Sequence, residues 1–335
     1  MTPKRLSEIL SHASSKRILV VGDLMLDEFV WGTVGRISPE APVPVVEVTG
    51  ESFYPGGAAN VARNLRQFIE TVAVVGLIGN DRGGRQLQEL LQAERIEADA
   101  IGDADFQTIV KTRIIARQQQ VVRVDREQVR APSPAQIKHA TTQVRDRLPN
   151  IDAIIFEDYG KGFLTAEFVR QICDDAATAG KIVTADPNPR HPLEWRNVTA
   201  VKPNRNEAFL AAGIPWEAAI EPAANDKTLM AVGAALLEKW DTKFLLITLG
   251  EQGMMLFQAG EPPHHIPTKA RQVFDVSGAG DTAIALFTLA LCSDASPIEA
   301  AEIANHGSAV VVGKLGTATV TRDELIANFH DDGQA

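Results

Sequence analysis

The stretch that decides the fold is Asp275-Val-Ser-Gly-Ala-Gly-Asp281-Thr282, followed by an apolar run, residues 283–291, that predicts a buried helix. The small residues at 277–280 let backbone N–H groups converge on an anion, and a helix starting there adds partial positive charge. Asp281 would repel that anion unless it takes up a proton, so we interpret it as a general base for a hydroxyl. The alternative is a helix N-terminus with aspartate as a favoured first-turn residue.

Six short apolar runs upstream are typical of strands that are buried on both faces of a parallel sheet. They are residues 17–22, 71–79, 151–156, 181–185, 198–201 and 244–248. The repeated order of strand, polar tip and helix predicts an α/β fold, a doubly wound and mostly parallel sheet with its strand tips along one edge. We expect one domain over all 335 residues, with ligands bound at that edge.

Two carboxylates and a glycine-rich helix start follow the first predicted strand. Asp23 and Asp27 lie where each can accept hydrogen bonds from two sugar hydroxyls, with helix or turn capping as the alternative. The sequence Pro55-Gly-Gly-Ala-Ala-Asn60 then opens a predicted helix. Gly56 and Gly57 let a ligand approach the backbone, and Asn60 can both donate to and accept from a hydroxyl.

Two segments interrupt the strand and helix repeat, and we predict that they form a small β-sheet lid over the binding edge, at about 35–55 and 106–127. In the first, residues 43–49 carry flanking prolines typical of an edge strand and would pair with residues 51–54. In the second, residues 108–117 and 121–125 would form a hairpin around Gln118-Gln-Gln120. Strand alternation would place three cations on one face, Lys111, Arg113 and Arg117, and the alternative is a solvated sheet face.

The composition limits the function. The net charge of −10 and the pI near 5.3 argue against a general nucleic-acid or membrane surface, so a bound phosphate must be met by local cations in a pocket. Cys173 and Cys292 lie apart and fit neither a disulfide framework nor a metal site.

No secretory leader and no run of eighteen apolar residues is visible, so we expect a cytoplasmic protein. The P-loop and protein-kinase motifs are missing from the sequence.

Taken together, the motifs resemble those of the ribokinase-like (PfkB) sugar kinases. The stretches 56–60 and 275–282 are similar to the two signatures of that family. Asn204-x-x-Glu207 and Thr248-x-Gly250-x-x-Gly253 fall between them in the family's order. Each motif is a weak signal alone, but together they cover nearly the whole chain.

A narrower resemblance is to the D-glycero-β-D-manno-heptose-7-phosphate kinases of lipopolysaccharide synthesis. It is carried by four segments, Gly22-Asp-Leu-Met-Leu-Asp27, Arg36-Ile-Ser-Pro-Glu-Ala-Pro-Val-Pro-Val45, Asp158-Tyr-Gly-Lys-Gly162 and Gly313-Lys-Leu-Gly-Thr317. Because the chain ends at residue 335, we expect the free-standing form of that kinase, without a fused nucleotidyltransferase. Two positions depart from the pattern: Met25 stands where ribokinases carry asparagine, and Glu157 stands where a small residue is expected.

The resemblance implies transfer of the γ-phosphoryl group of ATP to O1 of heptose 7-phosphate. It implies that Asp281 is the base, that Gly278, Ala279 and Gly280 hold the phosphoryl group, and that Glu207 contacts a hydrated Mg²⁺. The implied ATP-binding residues are Asn204, Arg205, Asn206, Glu207, Thr248, Gly250, Gly253 and Asn305. The implied sugar-phosphate residues are Asp23, Asp27, Gly56, Gly57, Asn60, Lys111, Arg113, Arg117 and Lys161. A requirement for K⁺ is left open.

The same resemblance predicts a homodimer that forms through the lid. Two alternatives remain at this stage. One is another sugar kinase of the same fold, which would have no need for three lid cations. The other is a non-catalytic sugar-binding regulator, which the intact glycine cradle and Asp281 argue against.

Overall fold

The computed structural model describes residues 1–117, 119–270 and 272–332 of the chain, with the side chains of 331 and 332 left aside. The strands are β1 (Arg17–Gly22), β2 (Leu24–Ile37), β3 (Pro44–Gly57), β4 (Thr71–Gly79), β5 (Glu97–Asp103), β6 (Ile109–Ala116), β7 (Gln119–Arg126), β8 (Ala153–Glu157), β9 (Ile182–Asp186), β10 (Ala200–Val201), β11 (Phe244–Thr248), β12 (Met254–Gln258) and β13 (His264–Ile266). The α-helices are α1 (Pro3–Ala13), α2 (Ala58–Arg66), α3 (Arg82–Ala93), α4 (Pro134–Arg147), α5 (Ala166–Thr178), α6 (Arg205–Ala212), α7 (Lys227–Trp240), α8 (Ala279–Cys292), α9 (Pro297–Val312) and α10 (Arg322–Asp332).

The main sheet has nine strands in the order β13-β12-β11-β10-β9-β8-β1-β4-β5. Every pairing from β11 to β5 is parallel, and only the pairings of β12 with β11 and with β13, at one edge, are antiparallel. The predicted doubly wound, mostly parallel sheet is therefore confirmed. Parallel strands with helices on both faces have no solvent-facing side, which explains why their sequences are continuous apolar runs.

Helices cover both faces of this sheet. In β1, Ile18 and Val20 pack into one hydrophobic layer while Leu19 and Val21 pack into the other. Helices α1, α2, α3, α8, α9 and α10 contribute to the first layer, and α4 to α7 contribute to the second. Helix α8 is buried over almost its whole length because it lies between the sheet and α9. In the described part of the chain, no helix has the length and apolar character needed to cross a bilayer.

A second sheet of four strands, in the order β3-β2-β6-β7, forms the predicted lid. The predicted pairing of residues 43–49 with 51–54 is wrong, because both segments belong to the single strand β3. The partner of β3 is β2, which follows β1 after only one residue, Asp23. Gly22 and Asp23 mark the end of β1, but a second strand that starts directly after them, without a separate loop, was not predicted from the sequence. Strand β3 does lie at an edge of the sheet, as its prolines predict.

The hairpin of β6 and β7 completes the lid, and Gln118 at its predicted centre lies outside the described residues. The placement of Arg117 on the face of Lys111 and Arg113 is wrong. Strand β6 ends at Ala116, and its register with β7 shifts at Ile114/Ile115, so the alternation of side chains does not continue to residue 117. Arg117 is exposed and has a left-handed backbone with φ 49°.

Candidate active site

Asp281 lies in the first turn of α8, directly after the small residues of the glycine-rich stretch. Its carboxylate is buried and accepts two hydrogen bonds, from Nδ2 of Asn60 at 2.6 Å and from the hydroxyl of Tyr159 at 2.7 Å. Burial raises the pKa of Asp281 to about 6, and the two hydrogen bonds act in the opposite direction. Above that pH the group is an ionised and firmly oriented carboxylate, which is the form that a general base requires.

Two glycines allow this arrangement. Gly278 caps α8 in a left-handed conformation with φ 79°, and a Cβ atom there would lie 2.9 Å from Nδ2 of Asn60. Gly57 has φ 57° and starts α2, which carries Asn60 in its first turn. The side-chain oxygen of Asn60 is buried and has no hydrogen-bond partner in the described structure. An unpaired buried acceptor beside the base suits a ligand hydroxyl.

Beneath Asp281 lie three more charged groups at the ends of neighbouring strands. The ammonium of Lys202 lies 2.8 Å from Oδ2 of Asp186, and a Cβ atom on Gly280 would lie 3.4 Å from that ammonium. Lys202 therefore faces the glycine cradle, where it can meet an anion. Burial raises the pKa of Asp186 to about 6, while Lys202 opposes that rise.

Glu157 is the least expected member of this group. It is paired in register with Asp186 on the next strand, is 0% exposed, and neither of its carboxylate oxygens has a hydrogen-bond partner in the described structure. Burial holds the pKa of Glu157 well above its usual range. One carboxylate oxygen from each of Glu157, Asp186 and Asp281 lies within 4.8 Å of the other two, a set that could hold a divalent cation.

Two cavities meet at the glycine cradle. The first, of about 600 Å³, is lined by the predicted nucleotide residues Thr248, Gly250, Gly253 and Asn305. The second, of about 910 Å³, is lined by Asn204, Arg205, Asn206, Glu207, Asp186, Lys202 and Asp281. Both are lined by Thr248, Gly250 and Gly280, so they form one continuous cleft at the C-terminal edge of the sheet.

Asn204 and Glu207 form a capping box at the start of α6. The side chain of Asn204 accepts from the amide of Glu207 at 3.0 Å, and Oε2 of Glu207 accepts from the amide of Asn204 at 2.8 Å. Arg205 pairs with Asp226 at 2.8 Å. The structure thus gives these residues a structural task as well as a position in the cleft, and their contact with a nucleotide or metal stays a prediction.

On the lid side, Asp27 lies on β2 and pairs with Arg113 of the neighbouring strand β6. Thr317 also donates to Asp27, at 3.4 Å. A Cβ atom on Gly56 would lie only 2.6 Å from Oδ2 of Asp27, so that position needs glycine. Arg113 therefore serves as the counter-ion of Asp27 in this state.

Asp23 has the turn-capping role that the sequence left as its alternative. Its carboxylate accepts from the backbone amides of Tyr159 at 2.9 Å, Lys161 at 3.0 Å and Phe163 at 3.4 Å. Burial raises the pKa of Asp23 to about 6, and these amides oppose the rise. Because Asp23 orders the loop that carries Tyr159, its predicted task of reading sugar hydroxyls is not the one that the structure shows.

Lys111 and Lys161 converge on one carboxylate of the lid. Oε2 of Glu127 lies 2.7 Å from the ammonium of Lys161 and 3.6 Å from that of Lys111. Both lysine side chains are only 15% exposed. The two lysines therefore form a pair, whereas Arg117 lies apart from them beyond the end of β6.

Sequence analysis did not predict that four residues belong to the site: Tyr159, Glu157, Asp186 and Lys202. Each stands at a strand tip or just beyond one. That shared position was the available signal, because tips of parallel strands meet at one edge. What the sequence lacks is the order of the strands, which decides which tips are neighbours.

A parallel sheet that presents a glycine-rich helix start, a buried carboxylate and a nucleotide-sized cavity at one edge is typical of a ribokinase-like kinase. The chain belongs to the pfkB family of carbohydrate kinases, whose family model matches residues 15–324. It is accordingly a sugar kinase, and kinases of this family use ATP together with a divalent metal ion.

The chain is also similar to bifunctional HldE proteins over nearly its whole length. The bifunctional protein HldE of Desulfatibacillum aliphaticivorans is 41% identical over 323 residues, which are 96% of this chain and 65% of that protein. HldE of Caulobacter vibrioides is 42% identical over 317 residues, 94% of this chain and 63% of that protein. The chain thus spans about 65% of the length of the relatives that it matches.

Solved structures share the fold at low sequence identity. Phosphofructokinase-2 from Escherichia coli in complex with potassium has a TM-score of 0.76 and 18% identity, covering 95% of this chain and 99% of the other. Ribokinase from Arabidopsis thaliana complexed with ribose and ATP has a TM-score of 0.68 and 18% identity, covering 94% and 99%.

Proposed function

We propose that this kinase phosphorylates D-glycero-β-D-manno-heptose 7-phosphate at the anomeric O1, giving the 1,7-bisphosphate for lipopolysaccharide heptose synthesis. The observation that carries the substrate class is the lysine pair, Lys111 and Lys161. Lys111 is the register partner of Asp27, and the amide of Lys161 is bound by Asp23, so we expect both lysines to face the sugar rather than the nucleotide. A sugar without a phosphate would not need two cations there.

The geometry accounts for the chemistry of the transfer. Asp281 takes the proton of O1 as that oxygen forms a bond to the γ-phosphorus, and the bond between the γ-phosphorus and the bridging oxygen of ADP breaks. The amides at 278–280 and the ammonium of Lys202 lie where they can stabilise the charge on the transferring group. Asn60 and Tyr159 keep the carboxylate of Asp281 aimed during the step.

Magnesium is the divalent ion that we propose. The buried, unpaired oxygens of Glu157 next to Asp186 fit a hard cation, and Glu207 at the rim of the cleft is the ligand that the family resemblance implies. When bound, Mg²⁺ would neutralise charge on the ATP phosphates. The chain is also similar in fold to a phosphofructokinase-2 in complex with potassium, so we test for a requirement for K⁺. The test compares kcat in potassium and tetramethylammonium buffers.

The enzyme is further proposed to be a homodimer that forms through the lid. The supporting observation is a group of apolar lid side chains exposed on the single chain, with Val48 56%, Val122 45% and Val124 40% exposed. Light scattering on the wild type and on a Val48→Asp variant tests this, since a lid dimer should dissociate in the variant. A monomeric wild type would overturn it.

The substrate proposal is tested with a panel of heptose 7-phosphate, ribose, fructose and fructose 6-phosphate. We expect kcat/KM for heptose 7-phosphate to exceed the others by at least about a hundredfold. In Lys161→Ala, the KM for heptose 7-phosphate should rise by about tenfold or more, with the KM for ATP unchanged, because a charge-assisted contact is lost. Equal turnover of an unphosphorylated sugar would instead favour another sugar kinase of the same fold.

A further inference from the structure

The lysine pair on the lid is already neutralised by acids of the same lid. Glu127 lies within 3.6 Å of both ammonium groups, and Lys111 also lies 3.6 Å from Oδ2 of Asp125. These two lysines and two carboxylates cancel one another, and Arg123, which binds Asp125, adds only a single positive charge for an incoming phosphate dianion. A phosphate that approached both lysines in this arrangement would meet Glu127 as a like charge.

The two acids differ in how firmly they are held. Asp125 is bound at both of its oxygens by Arg123, at 2.9 and 3.0 Å. Glu127 follows the last residue of β7, an edge strand whose residues are all exposed. The carboxylate of Glu127 is 30% exposed, and its contact with Lys161 holds the pKa of Glu127 below its usual range. Glu127 is therefore the group that can leave without disturbing the sheet.

From this arrangement we infer that Glu127 is an internal substitute for the phosphate of the substrate and sets the affinity for it. In the free enzyme its carboxylate occupies the position between Lys111 and Lys161, which keeps two largely buried cations paired. A sugar phosphate takes that position by displacing Glu127 towards solvent. A neutral sugar cannot displace it, so Glu127 acts as a specificity-determining residue. This inference rests on the proposed function for its choice of ligand.

Mutation of a binding-site residue usually weakens binding of the ligand, and for Glu127 we expect the opposite. Removing the charge of Glu127 should strengthen phosphate binding, because the competing anion is lost while the lysines remain. At a separation of about 4 Å with the screening of bulk water, the regime of a carboxylate displaced towards solvent, one unit charge corresponds to roughly a three- to tenfold change in affinity.

The test measures binding of inorganic phosphate to the full-length protein by calorimetry, so that it does not depend on turnover. Glu127→Gln should bind phosphate about three- to tenfold more tightly than the wild type. Glu47→Gln is the matched control, because Glu47 is an exposed carboxylate on the other edge strand of the lid, β3. Adding Lys161→Ala to Glu127→Gln should abolish the gain.

Unchanged or weaker phosphate binding in Glu127→Gln would overturn the inference and would mean that Glu127 only positions the lysines. A gain that survives Lys161→Ala would overturn it as well. The kinase assay is a separate readout, in which the KM for the phosphorylated sugar should fall in Glu127→Gln while the KM for ATP stays constant. If no sugar phosphate is phosphorylated, the proposed function fails, and the phosphate titration still decides the role of Glu127.

Discussion

The hydroxyl of Tyr159 donates to Oδ1 of Asp281 over 2.7 Å, although 122 positions separate the two residues in the chain. Tyr159 is carried by the loop that Asp23 binds, and Asp281 by the helix that follows the glycine cradle. A residue that is distant in the chain therefore helps to orient the carboxylate of Asp281 and to lower its pKa. This contact gives the first prediction.

Tyr159→Phe removes a hydrogen bond that lowers the pKa of Asp281 from the value that burial alone would give. The pKa should rise above its present value of about 6, so more of the enzyme is protonated at neutral pH. The acid limb of the kcat/KM profile should move upward by at least about half a pH unit. Tyr54→Phe is the control, because Tyr54 contacts Phe29 and Arg63 and not the base. An unmoved acid limb would remove Tyr159 from the tuning of Asp281.

Asp281→Asn should lower kcat by at least about a hundredfold, because the amide cannot accept the O1 proton. Binding of ATP, measured by calorimetry, should stay near that of the wild type, since the 600 Å³ cavity does not include this side chain. Asp241→Asn, at an exposed helix end, serves as a matched control for the change of aspartate to asparagine. Near-normal turnover would exclude Asp281 as the base.

Glu157→Gln should stabilise the protein when divalent cations are chelated. The folded-state pKa of Glu157 is raised, so the folded protein keeps a proton that the unfolded chain releases above about pH 4.5. Stability is therefore lost as pH rises through this window, and a neutral glutamine avoids the loss. We expect Tm to rise by about 2 to 4 °C at pH 8 and by less at pH 5. A Tm gain that is equal at both pH values, or also present in Glu261→Gln, would contradict this explanation.

Glu207→Gln tests the metal assignment. It should raise the Mg²⁺ concentration needed for half-maximal kcat by at least about fivefold, while the KM for sugar changes little, because a carboxylate contacts a hard cation directly or through water. Glutamine can still cap α6, so the capping box is retained. The exposed Glu238→Gln is the control. An unshifted magnesium titration would leave Glu157 and Asp186 as the better candidates.

Sequence patterns predicted the main sheet well and the lid poorly, for physical reasons. Residues 17–22, 71–79 and 244–248 are strands with the predicted bounds, because burial on both faces leaves an unambiguous apolar run. Strand β2 starts one residue after β1, so Gly22 and Asp23 mark the end of one strand without a loop before the next, and the half-exposed face of β2 weakens its pattern. Local alternation also failed at Arg117, where a bulge and the strand end intervene.

Sequence analysis predicted the part of the candidate site that lies in one motif. It missed the part to which several different strands contribute residues. Asp281 and the glycines lie in one continuous stretch, so sequence alone identifies them. Glu157, Asp186 and Lys202 meet only because β8, β9 and β10 are neighbours in the sheet. Chain order says nothing about that adjacency until the sheet is built. Because two of these residues are acidic and one is basic, their charges partly cancel and give no visible signal in the overall composition.

The β2–β3 half of the lid joins the main sheet and α2 without a connecting loop, since β2 follows β1 after Asp23 and β3 passes directly into α2. For protein engineering, this means that this half of the lid is not an exchangeable module. A graft taken from another kinase would have to include residues 23–60 together with the hairpin of β6 and β7, because the two attachment points of the β2–β3 half also carry the loop anchor Asp23 and Asn60, which donates to Asp281. Attempts to change the accepted sugar by recombination should therefore place their crossovers inside β1 and α2, where regular hydrogen bonding tolerates an exchange of sequence.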